Sequence, residues 1–132
     1  MAREFRMNKL SPVLFVEAIE PCLGFWVDRL GFAKTFDMPE GARLGFAILV
    51  KDGVEIMYQS RASVRADNPA MADMPSCTAL YVEVQNLAEI IQRLEGIPVV
   101  TPRRTTPYGA DEIFVREPGG NVIGFAEHKT QA

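Results

Sequence analysis

Few side chains in this chain could do chemistry, and their types rule out most reactions. The one histidine, His128, stands near the end, remote in pattern from every serine, so no serine–histidine pair supplies a nucleophile and its base. Cys22 and Cys77 form neither a metal motif nor a disulfide framework, and both read as reduced, half-buried thiols. No helix follows Gly119-Gly120, so the pair reads as a tight hairpin and not a phosphate loop. Acids and aromatic rings remain. Glu55 is either a general base with a raised pKa or a solvated acid at a pocket mouth. Glu83 is either a second acid or the partner of an arginine. Tyr108, in the segment Pro107-Tyr108-Gly109, either touches a ligand or packs its own loop. Arg103-Arg104 read as solvated loop charges, His128 as a solvated tail residue, and Trp26 as core.

The elements that must position these groups are written twice. Leu23, Trp26, Val27 and Leu30 recur at i, i+3, i+4, i+7, and so do Leu87, Ile90, Ile91 and Leu94, which is one face of a helix each time. Pro21 suits a first helical turn, and Asn86 with Glu89 reads as a capping box. Each helix ends near a glycine, Gly31 or Gly96, able to take the left-handed stop. Each follows a strand-like run (12–16 and 80–84) and precedes a third run and a hairpin. In the first half these later strands are 32–37, 43–50 and 54–60, with 38–41 and Asp52-Gly53 as turns. In the second they are 97–101, 111–116 and 121–127, with 102–109 as a loop. The sequence therefore implies an α+β single domain of two βαβββ modules, about 8–60 and 77–128, joined by a linker over 61–76. The expected sheet is curved and mixed, with helices on its convex side.

Strand alternation assigns the faces. Leu14 and Val16, with Leu80, Val82 and Val84, fall beneath the helices. Ser11, Val13 and Phe15, with Ala79, Tyr81 and Glu83, fall on the concave side, where Glu55, Met57 and Gln59 also share one face. Composition excludes other classes. At 132 residues, 48% hydrophobic and 23% charged, the chain fits one soluble domain. A net charge of −3 argues against a nucleic-acid binder. No apolar stretch is long enough to span a bilayer, and the charged start, Met1-Ala2-Arg3-Glu4-Phe5-Arg6, is no signal peptide. A cytoplasmic location is the expectation.

Two segments carry a family resemblance. Pro12-Val13-Leu14-x-Val16, followed by Phe25-Trp26-x-Asp28-Arg29-Leu30-Gly31-Phe32, resembles the opening of the bleomycin resistance proteins. These belong to the glyoxalase/bleomycin resistance/dioxygenase, or vicinal oxygen chelate, superfamily. Pro107-Tyr108-Gly109 and then Phe114-Val115-Arg116-Glu117-Pro118-Gly119-Gly120-Asn121 is similar to that family's last hairpin. The resemblance implies the glyoxalase/bleomycin resistance fold. It also implies that a family metal site would fall on Ser11, Glu55, Ala79 and Gly124. Ala79 and Gly124 have no donor atom and Ser11 is a poor one, so the chain departs from the metalloenzyme pattern at three positions of four.

The drug-binding branch departs in the same way, and its homodimers hold a flat cationic drug in grooves at the subunit interface. The implied function is therefore small-molecule binding of the bleomycin-resistance type, independent of metal and without a cofactor or catalytic residue. The ligand-binding residues would be Phe15, Glu55, Met57, Tyr81, Glu83 and Tyr108. The implied partners are a flat and possibly cationic ligand and a second copy of the chain, with no nucleic acid and no membrane. Antibiotic resistance is the associated role, although Tyr81 and Glu83 stand on a strand where such binders carry tryptophans. The alternative is a lyase, isomerase or dioxygenase of the same superfamily.

Overall fold

A computed structural model describes residues 4–75 and 78–129. It contains two four-stranded mixed sheets, ordered β1-β4-β3-β2 and β5-β8-β7-β6. The first half comprises β1 (Val13–Val16), a helix α1 (Glu20–Leu23) that continues as a π-helical turn over Gly24–Arg29, β2 (Ala33–Glu40), β3 (Arg43–Lys51) and β4 (Val54–Ser60). After α2 (Arg61–Asp67) and a 3-10 turn (Pro69–Met71), the second half repeats the order. It has β5 (Ala79–Glu83), α3 (Leu87–Arg93), β6 (Val99–Thr105), β7 (Ala110–Arg116) and β8 (Val122–His128). In each half the first strand pairs in parallel with the last, and the remaining pairs are antiparallel. No helix among the described residues is long and apolar enough to cross a membrane.

Both sheets turn one face to a single core. Leu14, Val16, Leu49, Ile56 and Tyr58 from the first sheet meet Ile113, Val115, Ile123 and Phe125 from the second, with Phe25, Trp26 and Leu87 from the helices between them. The π-helical coil lets the adjacent rings of Phe25 and Trp26 both point inward, where each packs against Phe125. Burying side chains of this size contributes about 1.5–3 kcal/mol each. Gly31 and Gly96 take positive φ just past the helices, as the stop signals require.

The halves are also tied by a buried polar knot. Trp26 Nε1 donates to the Tyr58 hydroxyl at 2.9 Å, and that hydroxyl donates to Glu117 Oε2 at 2.5 Å. Cys22 Sγ lies 3.5 Å from the same oxygen, and the Asn121 backbone N–H donates to Glu117 Oε1 at 2.6 Å. Burial, then the Glu117 charge, pushes the Cys22 thiol up to about 12. The same two causes, in the same order, raise Tyr58.

Several boundaries differ from the sequence reading. Regular pairing in β1 starts at Val13, which leaves Ser11 in the approach to the strand. β2 runs on to Glu40 and β6 to Thr105, through Pro39 and Pro102. Both are edge strands, and prolines are tolerated there. The linker is built in part as α2, whose cap is the Ser60 side chain accepting from the Ser63 amide at 3.1 Å. The reciprocal half of the Asn86 capping box comes from outside α3. Glu127 accepts the Asn86 and Leu87 amides at 3.2 and 3.0 Å, while Glu89 pairs with Arg93. Cys22 is wholly buried and not half-buried, and the reading of Cys77 lies outside the described residues.

Candidate functional site

Because the helix-side faces of both sheets are spent on one core, their other faces are open and point away from it. The open face of the first sheet is built in cross-strand rows. One row is Val13, Met57, Ile48 and Phe36, and a second is Phe15, Gln59, Phe46 and Met38. Val50 and Glu55 lie opposite each other in the next. Val13, Phe36 and Met38 are exposed, which leaves an apolar strip uncovered. Phe15 is an exception among the expected ligand residues. It is only 9% exposed, because Val64 of α2 and Ala72 pack over it. At the end of this face Glu55 accepts Ser11 Oγ at 2.7 Å and Lys9 Nζ at 2.9 Å. The Lys9 bond, then the Ser11 bond, holds its carboxyl below the usual range, which is the opposite of a general base with a raised pKa.

The open face of the second sheet has different chemistry. Its centre is Glu112, only 1% exposed, which the sequence reading missed. One carboxylate oxygen accepts the Tyr81 hydroxyl at 2.7 Å and the Tyr108 hydroxyl at 3.2 Å. The other accepts Arg104 Nε and Nη2 at 3.2 and 3.0 Å. The Tyr81 bond, helped by Arg104 and Tyr108, lowers the Glu112 carboxyl, and the same bond raises the Tyr81 hydroxyl. The tyrosines keep their rings outside, with Tyr81 48% and Tyr108 65% exposed. Phe114 lies 6.1 Å from the Tyr81 ring, and His128 lies 6.4 Å from both tyrosine rings.

Three expected residues, Tyr81, Glu83 and Tyr108, therefore share this face, whereas Glu55, Met57 and Phe15 belong to the other. Glu83 stands 3.8 Å from His128 Nε2 and is otherwise in solvent. His128 is the last residue of β8 and part of the aromatic wall, not a free tail. Arg104 is a strand residue paired across to Glu112, not a loop charge.

The donor set does not fit the family's metal. Ser11 and Glu55 do meet, but their hydrogen bond and Lys9 occupy the carboxylate. Ala79 offers no donor. A Cβ placed on Gly124 would lie too close to Cε2 of Phe114 to be accommodated, so an aromatic side chain fills the place of the fourth ligand. Among the described residues no three His, Cys, Asp or Glu side chains group as a metal site. An open cleft of about 1540 Å³ also lies between the halves, bounded by Phe32, Lys51, Val84, Glu89 and Arg93. Of its charged groups, Glu89 and Arg93 pair with each other, and Glu127 caps α3.

The family model described as the Glyoxalase/Bleomycin resistance protein/Dioxygenase superfamily matches residues 8–125. No curated protein sequence matches the chain. Among solved structures, the chain is similar to a bleomycin-binding protein from bleomycin-producing Streptomyces verticillus, complexed with copper(II)-bleomycin. The identity is 24%, the match covers 96% of this chain and 100% of that one, and the TM-score is 0.62. It is similar to TnmS3, an antibiotic binding protein from Streptomyces sp. CB03234, at 20% identity, 96% and 100% coverage and TM-score 0.70. It is equally similar in fold to a lactoylglutathione lyase from Agrobacterium tumefaciens, at 17% identity, 94% and 96% coverage and TM-score 0.70.

Proposed function

The chain belongs to the glyoxalase/bleomycin resistance protein/dioxygenase superfamily, and from that premise we propose that it is a binding protein which sequesters a small planar molecule without metal chemistry. The observation that carries this reading is the aromatic wall of the second sheet. Tyr81 and Tyr108 are anchored by their hydroxyls on Glu112 and present their ring faces outward. Such faces stack flat rings, at about 0.5–1.5 kcal/mol per contact beyond area burial. The Phe114 ring at Gly124 supports the metal-free part of the reading, because it stands where a metal ligand would.

One chain cannot close over the ligand, since its two open faces point away from the same core. The reading therefore takes the protein as a homodimer. The apolar strip of Val13, Phe36, Met38 and Met57 in one copy then faces the tyrosine wall of the other, and burial of the exposed strip favours association. Glu55 closes one end of that groove and Glu83 the other. Phe15, in the adjoining row and covered by α2, supports the strip from the side. The protein acts in the cytoplasm, with Cys22 a reduced thiol, and binding a toxic compound there confers resistance to it.

Three measurements test this. Light scattering behind a sizing column gives the mass of a dimer. A thermal-shift screen of planar aromatic compounds gives hits that Tyr81→Ala abolishes. Dialysis against zinc, nickel and manganese leaves no stoichiometric metal. Tight stoichiometric metal overturns the binding-protein reading in favour of a metalloenzyme of the same superfamily.

A further inference from the structure

The sequence alone points toward a cation as ligand, because acids lie on the presumed groove. The geometry points elsewhere: we propose that the ligand is planar and uncharged. This rests on the reading of the open faces as ligand walls. Glu55 already holds Lys9 and Ser11. Glu112 already holds two tyrosine hydroxyls and both contacting nitrogens of Arg104. Each carboxylate is thus neutralised by its own cation, and Glu112 is also saturated with donors. Glu83, the remaining acid, stands in solvent beside His128 at the edge of the wall. A ligand cation slid against Tyr81 finds the buried carboxylate, Glu112, already taken by Arg104, and meets in Glu83 only a solvent-screened acid at the rim. Burying an ionic group with no partner is costly, whereas an uncharged ring system loses nothing against the wall. The acids work internally, with Glu112 as the positioning residue that fixes both tyrosines.

Three flat tricyclic probes of similar size separate the possibilities: proflavine as cation, acridone as the uncharged probe and anthraquinone-2-sulfonate as anion. Each is titrated into the dimer and followed by tryptophan and tyrosine fluorescence. Acridone is expected to bind about tenfold tighter than either ion. Arg104→Met then leaves Glu112 uncovered, and proflavine should gain about tenfold while acridone changes by less than about threefold. Lys9→Ala makes the same test on the other wall, so the proposal stays testable if the Arg104 variant does not fold. Proflavine or the sulfonate binding best to the unaltered protein overturns the uncharged ligand and leaves sequestration standing. No binding by any probe overturns sequestration, and this inference with it.

Discussion

Replacing Tyr58 by Phe tests whether the buried polar knot holds the two halves together. The change removes one oxygen and leaves the ring, so packing is kept. Two hydrogen bonds go with it. The Trp26 indole N–H, wholly buried, loses its acceptor at 2.9 Å. The Glu117 carboxylate, only 2% exposed, loses its donor at 2.5 Å. An orphaned buried donor costs about 1–3 kcal/mol, and a lost bond to a charged group about 1.5–3 kcal/mol. Allowing for overlap between the two, the expected loss is about 3–5 kcal/mol, a large share of the 5–15 kcal/mol typical of a whole domain. Urea unfolding followed by far-ultraviolet circular dichroism measures it, with the m-value expected to stay constant. A double-mutant cycle with Glu117→Gln should give a coupling above about 1 kcal/mol. A loss below about 1 kcal/mol at unchanged m would refute the view that these bonds carry the junction.

Cys22 gives a pH prediction. Its thiol titrates near 9.0 when exposed and at about 12 in the fold, so above pH 9 the unfolded chain releases a proton that the native state keeps. Stability should fall by about 1.4 kcal/mol per pH unit from there, and Cys22→Ser should delay the fall to the tyrosine range, as pH-dependent urea midpoints will show. Glu112→Gln should bring the raised Tyr81 hydroxyl back toward the ordinary tyrosine range, seen as an earlier phenolate step in ultraviolet titration. An unchanged step would mean that the carboxylate does not control the ring. Gly124→Ala should destabilise by about 1–3 kcal/mol, because the new methyl overlaps the Phe114 ring, and thermal unfolding will register it.

Alternation and helical spacing made much of this fold legible. Leu14, Val16, Ile56 and Tyr58 face the core, and Val13, Glu55 and Met57 face away, as period-two patterning demands. Elements shorter than a pattern, or carrying breakers, were not legible. Seven residues of α2 hold too few turns for periodicity, so the cover it lays over Phe15 could not be foreseen, although Ser60 before Ser63 was an available cap signal. Pro39 and Pro102 read as turn residues because an interior strand rejects them, and only the finished sheet order shows that both lie on edges. The Glu112 site was hidden for the same reason. Arg104 meets it by cross-strand register in a strand whose sequence reads as a loop, and Tyr81 reaches it across 31 residues of chain. No local spacing announces such a convergence.

The phenyl group seated over Gly124 has a consequence for anyone wishing to turn this scaffold into a catalyst. Installing a carboxylate there by Gly124→Glu would begin inside the volume that Phe114 occupies, so the first change is penalised until the second is made. Shortening Phe114 first would open a hollow beside Tyr81 and loosen the stacking surface before any ion could be gripped. Each route crosses a worse intermediate, and the two positions act as a ratchet that resists stepwise conversion toward metal chemistry.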